Sequence, residues 1–419
     1  MGFAQGVSGL NSSAANLDVI GNNIANSGTI GFKSGSVQFS DVYAGSRVGL
    51  GTQVAGVSQN FTSGAVQSST RALDVAIVNG DGFFRLASPG GEVAYSRNGQ
   101  FNMDKDGYIV NPAGLRLTGY QVGANGALAG GSPAALQLPT GAMAPNSTQN
   151  IVAQFNIDSR SAIPVATPFD ANDSTTYNYS NSVTIYDSLG NSHELTTFFV
   201  KTASNTWDVY ATADGQPLDT GGALATPPGM GTAIATGVPF DSNGMLDTAA
   251  ATYPANGKLN FAGLQFPNGS SPMTFDMNIT GTTQFGNVND VKKLTQDGYT
   301  SGQLTAFAIN DDGTLTGKYS NEQTKLLGQI VLSSFVNSNG LQPKGDNVWG
   351  ETAASGQPLT GTPGSGTKLG ALVSGALESS NVDLTSELVN LIIAQRTYQA
   401  NAQTVKTQDQ VMQTLMNMR

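Results

Sequence analysis

Asp383-Leu-Thr-Ser-Glu-Leu-Val-Asn-Leu-Ile-Ile-Ala-Gln-Arg-Thr-Tyr-Gln-Ala-Asn-Ala-Gln-Thr-Val-Lys-Thr-Gln-Asp-Gln-Val-Met-Gln-Thr-Leu-Met416 carries the plainest structural signal in the chain. No Gly or Pro follows Gly375. Asp383 is an expected N-cap. A seam then repeats at spacing 4,3,4,3: Leu384, Leu388, Leu391, Gln395, Tyr398, Ala402, Val405, Asp409, Met412, Met416. That heptad pattern predicts one helix of about 35 residues, about 52 Å long. Val7, Leu10, Ala14, Leu17, Gly21 and Ile24 form a shorter counterpart at spacing 3,4,3,4,3, ended by Asn26 to Gly31. Gly21 and Asn22-Asn23 are expected to weaken its last turn. From Leu384 to Arg419 the charged residues are only Glu387, Arg396, Lys406, Asp409 and Arg419. A solvated helix usually shows Glu/Lys pairs. Neutral polar groups, with Val389, Ile392 and Ile393 off the seam, point instead to a helix packed on several sides by copies of itself.

Between the ends the pattern changes. Twelve Asn-Gly or Asp-Gly pairs lie between 79 and 340, and none lies outside that range. Such pairs supply the positive φ angles of tight hairpins, so the middle reads as β-rich. Met273, Phe275, Met277 and Ile279 alternate with polar residues, as a half-buried strand does. Val183 and Ile185 alternate before Asp187-Ser-Leu-Gly190, and Trp207 and Val209 after Asn205. Leu73 to Val78 and Gln329 to Phe335 read as buried strands. Gly130 to Asn150, Gly221 to Gly237 and Glu351 to Lys368 are rich in small and turn residues and read as linkers or long loops. The expected fold class is mixed and mainly β, with helical ends.

Composition narrows the function. The chain has 419 residues, no Cys, one His, and a net charge of −10. Disulfides and thiolate chemistry are excluded. The acidic balance argues against nucleic acid and anionic membranes as partners. Only 11% of residues are charged, against about 25% in ordinary domains. No apolar run is long enough to span a bilayer, and no positive n-region precedes an apolar run at the start, so neither membrane insertion nor a cleaved signal peptide is expected.

The candidate chemical motifs fail. His193-Glu194 opens like a zincin helix, but position 197 is Thr, and His193 reads as a surface strand residue. Gly361-Thr-Pro-Gly-Ser-Gly-Thr-Lys368 has its lysine one place out of P-loop register. Asp104 to Gly107 and Asn310 to Gly313 lack the further ligands of a calcium loop and read as hairpin turns. No catalytic residue, metal site or cofactor is expected.

The termini, taken together, carry a family resemblance. Ser8 to Lys33, with Gly21, Asn22, Asn23, Asn26, Gly31, Phe32 and Lys33, resembles the N-terminal signature of bacterial flagellar rod and hook axial proteins. Ser380 to Lys406 resembles their paired C-terminal helix. Leu73 to Arg85 and Tyr95 to Phe101 are similar to the distal rod and hook members. Val183 to Leu195, Tyr319 to Gln323 and Gly345 to Trp349 resemble hook proteins. The resemblance implies a nested chain: a helical inner-tube domain (1–26 with 380–419), a connecting segment (27–72 with 365–379), a middle β domain (73–147 with 296–364) and an outer β domain (148–295). It implies a homopolymeric, curved, flexible tube outside the cell, joining rod to filament and transmitting torque. Its implied partners are rod, hook cap and hook–filament junction proteins and the flagellar type III export apparatus, which passes chains without a cleaved signal. The expected assembly interface is Val7, Leu10, Leu17, Ile24, Leu384, Leu388, Leu391, Ile392, Tyr398, Val405 and Met412. A stiff distal rod subunit and a secreted β-rich adhesin or enzyme are the alternatives.

Overall fold

The computed structural model describes residues 2–42, 49–123, 126–225, 231–248, 257–364 and 368–417. The chain divides into two units: Met1–Thr140, Leu304–Lys318 and Thr324–Arg419 form the first, and Gly141–Gln303 with Tyr319–Gln323 the second.

The first unit holds both ends of the chain. Helix α1 spans Gly2–Ala25 and helix α2 spans Leu384–Asn417. Asp383 caps α2: its carboxylate accepts from the amides of Thr385 at 2.9 Å and Ser386 at 3.3 Å. α1 continues through Gly21 and Asn22-Asn23, contrary to the expected weakening. Asn26 donates from its side chain to the Asn22 carbonyl, and Gly31 adopts φ +70° just beyond. α1 also rests on a hairpin of strands Gly35–Asp41 and Thr52–Gln59.

The main sheet of this unit runs Leu304–Ile309, Thr314–Tyr319, Thr324–Ile330, Arg116–Gln121, Phe83–Ala87, Val93–Ser96, Val348–Gly350, Gln342–Gly345. Its core includes Phe84, Leu86, Phe101, Leu117, Ile330 and Leu372. Two short ladders tie the chain ends into the unit: Ala371–Ser374 on Val75–Val78, and Ala376–Glu378 on Val66–Ser68.

The second unit is a sandwich of two sheets with a shared core. One sheet orders Lys258–Leu264, Met273–Asn278, Asn150–Asp158 and Thr283–Phe285, with Asp290–Gln296 also on Asn150–Asp158. The other orders Tyr179–Tyr186, Ser192–Ala203, Thr206–Ala213 and Gln216–Pro217, with Ala235–Pro239 on Thr206–Ala213. The alternating residues Met273, Phe275 and Met277 face inward, as do Val183, Ile185, Trp207 and Val209. Phe155 meets Phe199 edge-on across the core at 5.4 Å. The Trp207 indole donates to Gln284 Oε1 at 2.6 Å, satisfying a fully buried donor. The unit's first and last strands are neighbours: Ile151 pairs with Gln296.

Several sequence readings need correction. Gly130 to Asn150 is not a bare linker, because Leu136 and Leu138 enter the main core. Glu351 to Lys368 contains strand Leu359–Gly361, while its residues 365–367, and Asn125 and Asn256 of the turn pairs, lie outside the described residues. His193 lies on strand Ser192–Ala203 as expected, but it is half-buried rather than freely exposed. Its side chain is 10% exposed, stacks on Phe266 at 3.4 Å, and sits between Asp214 at 2.7 Å and Asp187 at 3.3 Å. The Asp104 and Asp312 turns are hairpin turns in which each carboxylate accepts backbone amides of its own turn.

Candidate assembly interface

α1 and α2 pair antiparallel through small and polar groups. Asn23 donates to Glu387 Oε1 at 3.3 Å near one end, and Asn401 donates to Ser13 Oγ at 3.4 Å further along. A Cβ on Gly9 would lie 2.8 Å from the Asn401 side chain, and one on Gly6 2.8 Å from Val405 Cγ2. The two backbones therefore approach closely because Gly6 and Gly9 carry no side chain.

This pairing shifts the expected seam by one residue on α1 and at about half of the inner positions of α2. On α1 the buried residues are Gly6, Gly9, Ser12, Ser13, Ile20 and Asn23, each but Ser12 one place before a seam residue. Val7, Leu10, Leu17 and Ile24 are half-buried, and Gly21 is exposed with open space where a Cβ would point. On α2 the inner positions are Glu387, Leu391, Ala394, Asn401, Ala402, Val405 and Gln408. Leu391, Ala402 and Val405 belong to both versions. Leu384, Leu388, Tyr398 and Met412 stand 45%, 46%, 40% and 58% exposed, and Ile392 is 51% exposed. Periodicity registers every covered face of a helix, and the tightest one here is lined by Gly, Ser and Asn, which hydrophobicity does not mark. A groove of about 740 Å³ remains between α1, α2 and the adjoining hairpin, lined by Ser12, Asn16, Val37, Phe39, Asn390 and Ile393 among others.

The N-terminal signature residues have specific partners. Asn23 clasps the backbone of Gly35 from both sides, donating to its carbonyl at 2.8 Å and accepting from its amide at 2.9 Å. Gly31 packs against the Asn98 backbone, where a Cβ would sit 2.7 Å from Asn98 N. Phe32 is half-buried. Lys33 is buried and bonds Glu378 at 2.5 Å, with Arg97 on the other carboxylate oxygen at 3.5 Å. Burial pushes the Lys33 ammonium below its ordinary value, against the opposing pull of Glu378. Among the described residues nothing calls for glycine at 21. Sequence reasoning missed Arg97 and Glu378 as partners of Lys33. The signal available was the pair of charged residues standing beside apolar strands.

The hook-like internal motifs are structural hairpins. Val183 to Leu195 is two strands joined at Asp187, whose carboxylate accepts from the amides of Leu189 and Asn191 at 2.9 Å each and from Asn268 at 2.6 Å. Burial opposes ionisation there, but these bonds and that of His193 outweigh it and hold the carboxyl well below the ordinary range. Gly345 to Trp349 is a tight turn with Asp346 and Asn347 at φ 50° and 55°. No helix among the described residues is long and apolar enough to cross a membrane.

Four family models match in chain order: the flagella basal body rod protein at 5–33, the flagellar hook protein FlgE/F/G D1 domain at 77–160, the flagellar basal body protein FlaE D2 domain at 156–299, and the flagellar basal body rod FlgEFG protein C-terminal at 373–418. Flagellar hook protein FlgE of Escherichia coli K12 is 48% identical over all of both chains. That of Salmonella typhimurium LT2 is 47% identical, also over all of both chains. That of Borreliella burgdorferi is 33% identical over 99% of this chain and 98% of the relative. The crystal structure of Helicobacter pylori flagellar hook protein FlgE2 shares the fold with a TM-score of 0.53 at 14% identity, over 75% of this chain and 100% of that one. Paired helical ends, nested β units and full-length similarity together place the chain in the flagellar hook protein family.

Proposed function

We propose that this chain is the repeating subunit of a self-assembling helical tube, with α1 and α2 forming the inner wall and the sandwich unit outermost. The tube joins rod to filament and transmits torque while bending. The observation that carries this reading is the uncovered apolar surface of α2. Among its described residues only Ala394 is buried, while Leu388, Val389, Ile392 and Ile393 are each about half exposed. Together they form one broad apolar stripe beside the face that meets α1, and such a stripe calls for cover from outside the chain. Leu384, Leu388, Ile392, Tyr398 and Met412 serve contacts between copies. Val7, Leu10, Leu17, Ile24, Leu391 and Val405 brace the helix pair that presents them. The four-part division, with 1–26 and 380–419 innermost and 148–295 outermost, belongs to the same proposal.

The acting surfaces are structural, and no catalysis, metal or cofactor enters. Rod, hook cap and hook–filament junction proteins are the contacts at the tube's ends, and the flagellar type III export apparatus delivers the chain to the outside of the cell. The test is electron microscopy of the purified chain after induced polymerisation. Curved tubes are expected. A chain that stays monomeric under all polymerising conditions would contradict the proposal.

A further inference from the structure

Glu378 stands where three distant parts of the chain meet inside the first unit. Its Oε1 accepts from Lys33 Nζ at 2.5 Å and from the Gly64 amide at 2.8 Å. Its Oε2 faces Arg97 Nη1 at 3.5 Å. All three charged side chains are at most 2% exposed. Lys33 also donates to the Thr62 carbonyl at 2.7 Å, and the Arg97 guanidinium lies over the Phe83 ring. Arg97 Nε has no hydrogen-bond partner among the described residues.

One carboxylate thus serves two buried cations, and it arrives from far along the chain. Lys33 and Arg97 precede it by 345 and 281 positions. Asp81 is close enough to influence Arg97, but Lys33 makes no ion pair other than that with Glu378 among the described residues. The backbone around Glu378 is laced to the same neighbours. The Gly31 amide donates to the Glu378 carbonyl at 2.8 Å, and the Ser379 amide to the Ala65 carbonyl at 2.9 Å. Asn381 accepts from the Ser34 amide at 2.8 Å and donates to the Asn60 carbonyl at 2.7 Å. Gly64 must be glycine, because a Cβ there would lie 2.1 Å from the Ser379 carbonyl oxygen. These contacts fix the point from which α1 ends and α2 begins.

We propose that Glu378 is a charge-operated latch for the two terminal helices. With its carboxylate in place, Lys33 and Arg97 are neutralised, and strand Ala376–Glu378 closes on Val66–Ser68. Without that negative charge, closing the site would bury two cations against a neutral group, so the segment stays open. The opening ends at Gly375, whose φ of +67° separates the latch strand from Ala371–Ser374. Leu372 on the far side belongs to the main core, whose edge the latch strand meets where the Ala376 amide donates to the Asp74 carbonyl at 3.2 Å. The base of both helices therefore closes only with the Glu378 carboxylate in place, and the β core does not depend on it. The inference rests on the first unit alone and is read in the unassembled chain, so its failure leaves the assembly reading untouched.

The test is hydrogen exchange on the full-length chain carrying Glu378→Gln, which keeps shape and removes charge. Exchange at 376–381, 31–34 and 64–66 should rise by at least about tenfold, while 84–86, 117, 330 and 372 stay within about twofold. The triple variant Lys33→Met, Arg97→Met, Glu378→Met removes all three charges and should restore slow exchange at the latch. No change in Glu378→Gln would overturn the proposal. So would a loss of protection extending through Leu117 and Ile330, or a triple variant as open as Glu378→Gln, because each assigns Glu378 a role other than neutralising the two cations.

Discussion

Replacing Ile392 by Asp should raise the concentration needed for assembly about 100-fold without harming the folded chain. Leu388, Val389, Ile392 and Ile393 are 46%, 53%, 51% and 57% exposed. Fully burying such a side chain contributes about 1.5–3 kcal/mol, so each has about half of that still to gain, or about 3–6 kcal/mol for the four. Ile392→Asp forfeits its own share, about 0.75–1.5 kcal/mol. It also places a carboxylate where the polymer excludes water, at a cost of several kcal/mol. A combined loss of about 3 kcal/mol or more raises the critical concentration for polymerisation by about 100-fold, at 1.4 kcal/mol per decade. In the free chain the site faces water, so the substitution changes monomer stability by less than about 0.5 kcal/mol. Sedimentation of polymer at graded protein concentrations measures the first quantity, and urea denaturation of the monomer the second. A critical concentration within twofold of the parent chain would refute the reasoning that this face of α2 is covered by neighbours.

Three further outcomes follow from the sandwich unit. Although burial opposes it, hydrogen bonds make Asp187 ionise more readily in the folded chain than a free aspartate, so its stabilisation is present above about pH 4 and is lost as the pH falls below that. Asp187→Asn should flatten this acid-side loss in a pH titration of the unit's unfolding; an unchanged slope would count against the hydrogen-bonded turn as its source. Phe155→Ala should destabilise the unit by about 3–5 kcal/mol in denaturant unfolding, since the ring is fully buried, and leave the critical concentration near the parent value. Replacing 148–295 by a short Gly-Ser linker should give straighter tubes in micrographs. The junction needs little length, because the Asn146 side chain donates to the Asp297 carbonyl at 3.0 Å; a folded truncation that never polymerises would rule this out.

Much of this fold is legible in the residues. The Asp383 cap, the Gly- and Pro-free run of α2 and the alternation at Met273 to Met277 are local signals, and local physics decides them. The helix seam is different. Its register depends on what α1 offers, and α1 offers Gly6, Gly9 and Ser13, so Ala394 and Asn401 turn inward while Leu388 and Ile392 turn out. Leucine and isoleucine spacing marks faces to be covered, but it does not say whether the cover comes from the same chain. Likewise, nothing near Lys33 in sequence announces that its carboxylate lies 345 positions away, and nothing near His193 places Phe266 against its ring. Leu136 and Leu138 were masked by the Gly, Ser and Pro around them, though two leucines at alternating positions are enough to fill a gap in a core.

The most direct measurement is hydrogen exchange along α2 in the free chain and in the polymer. With only Ala394 buried among its described residues, α2 gains little from packing on α1. Isolated helices in water are marginal even at favourable composition. Amides from 388 to 416 should therefore exchange rapidly in the monomer, while those of Leu117 and Phe155 stay slow. In the polymer the same α2 amides should slow by orders of magnitude as neighbouring copies cover Leu388, Ile392 and Met412. Strong protection of α2 already present in the monomer, or no gain on polymerisation, would contradict assembly through the uncovered faces of this helix.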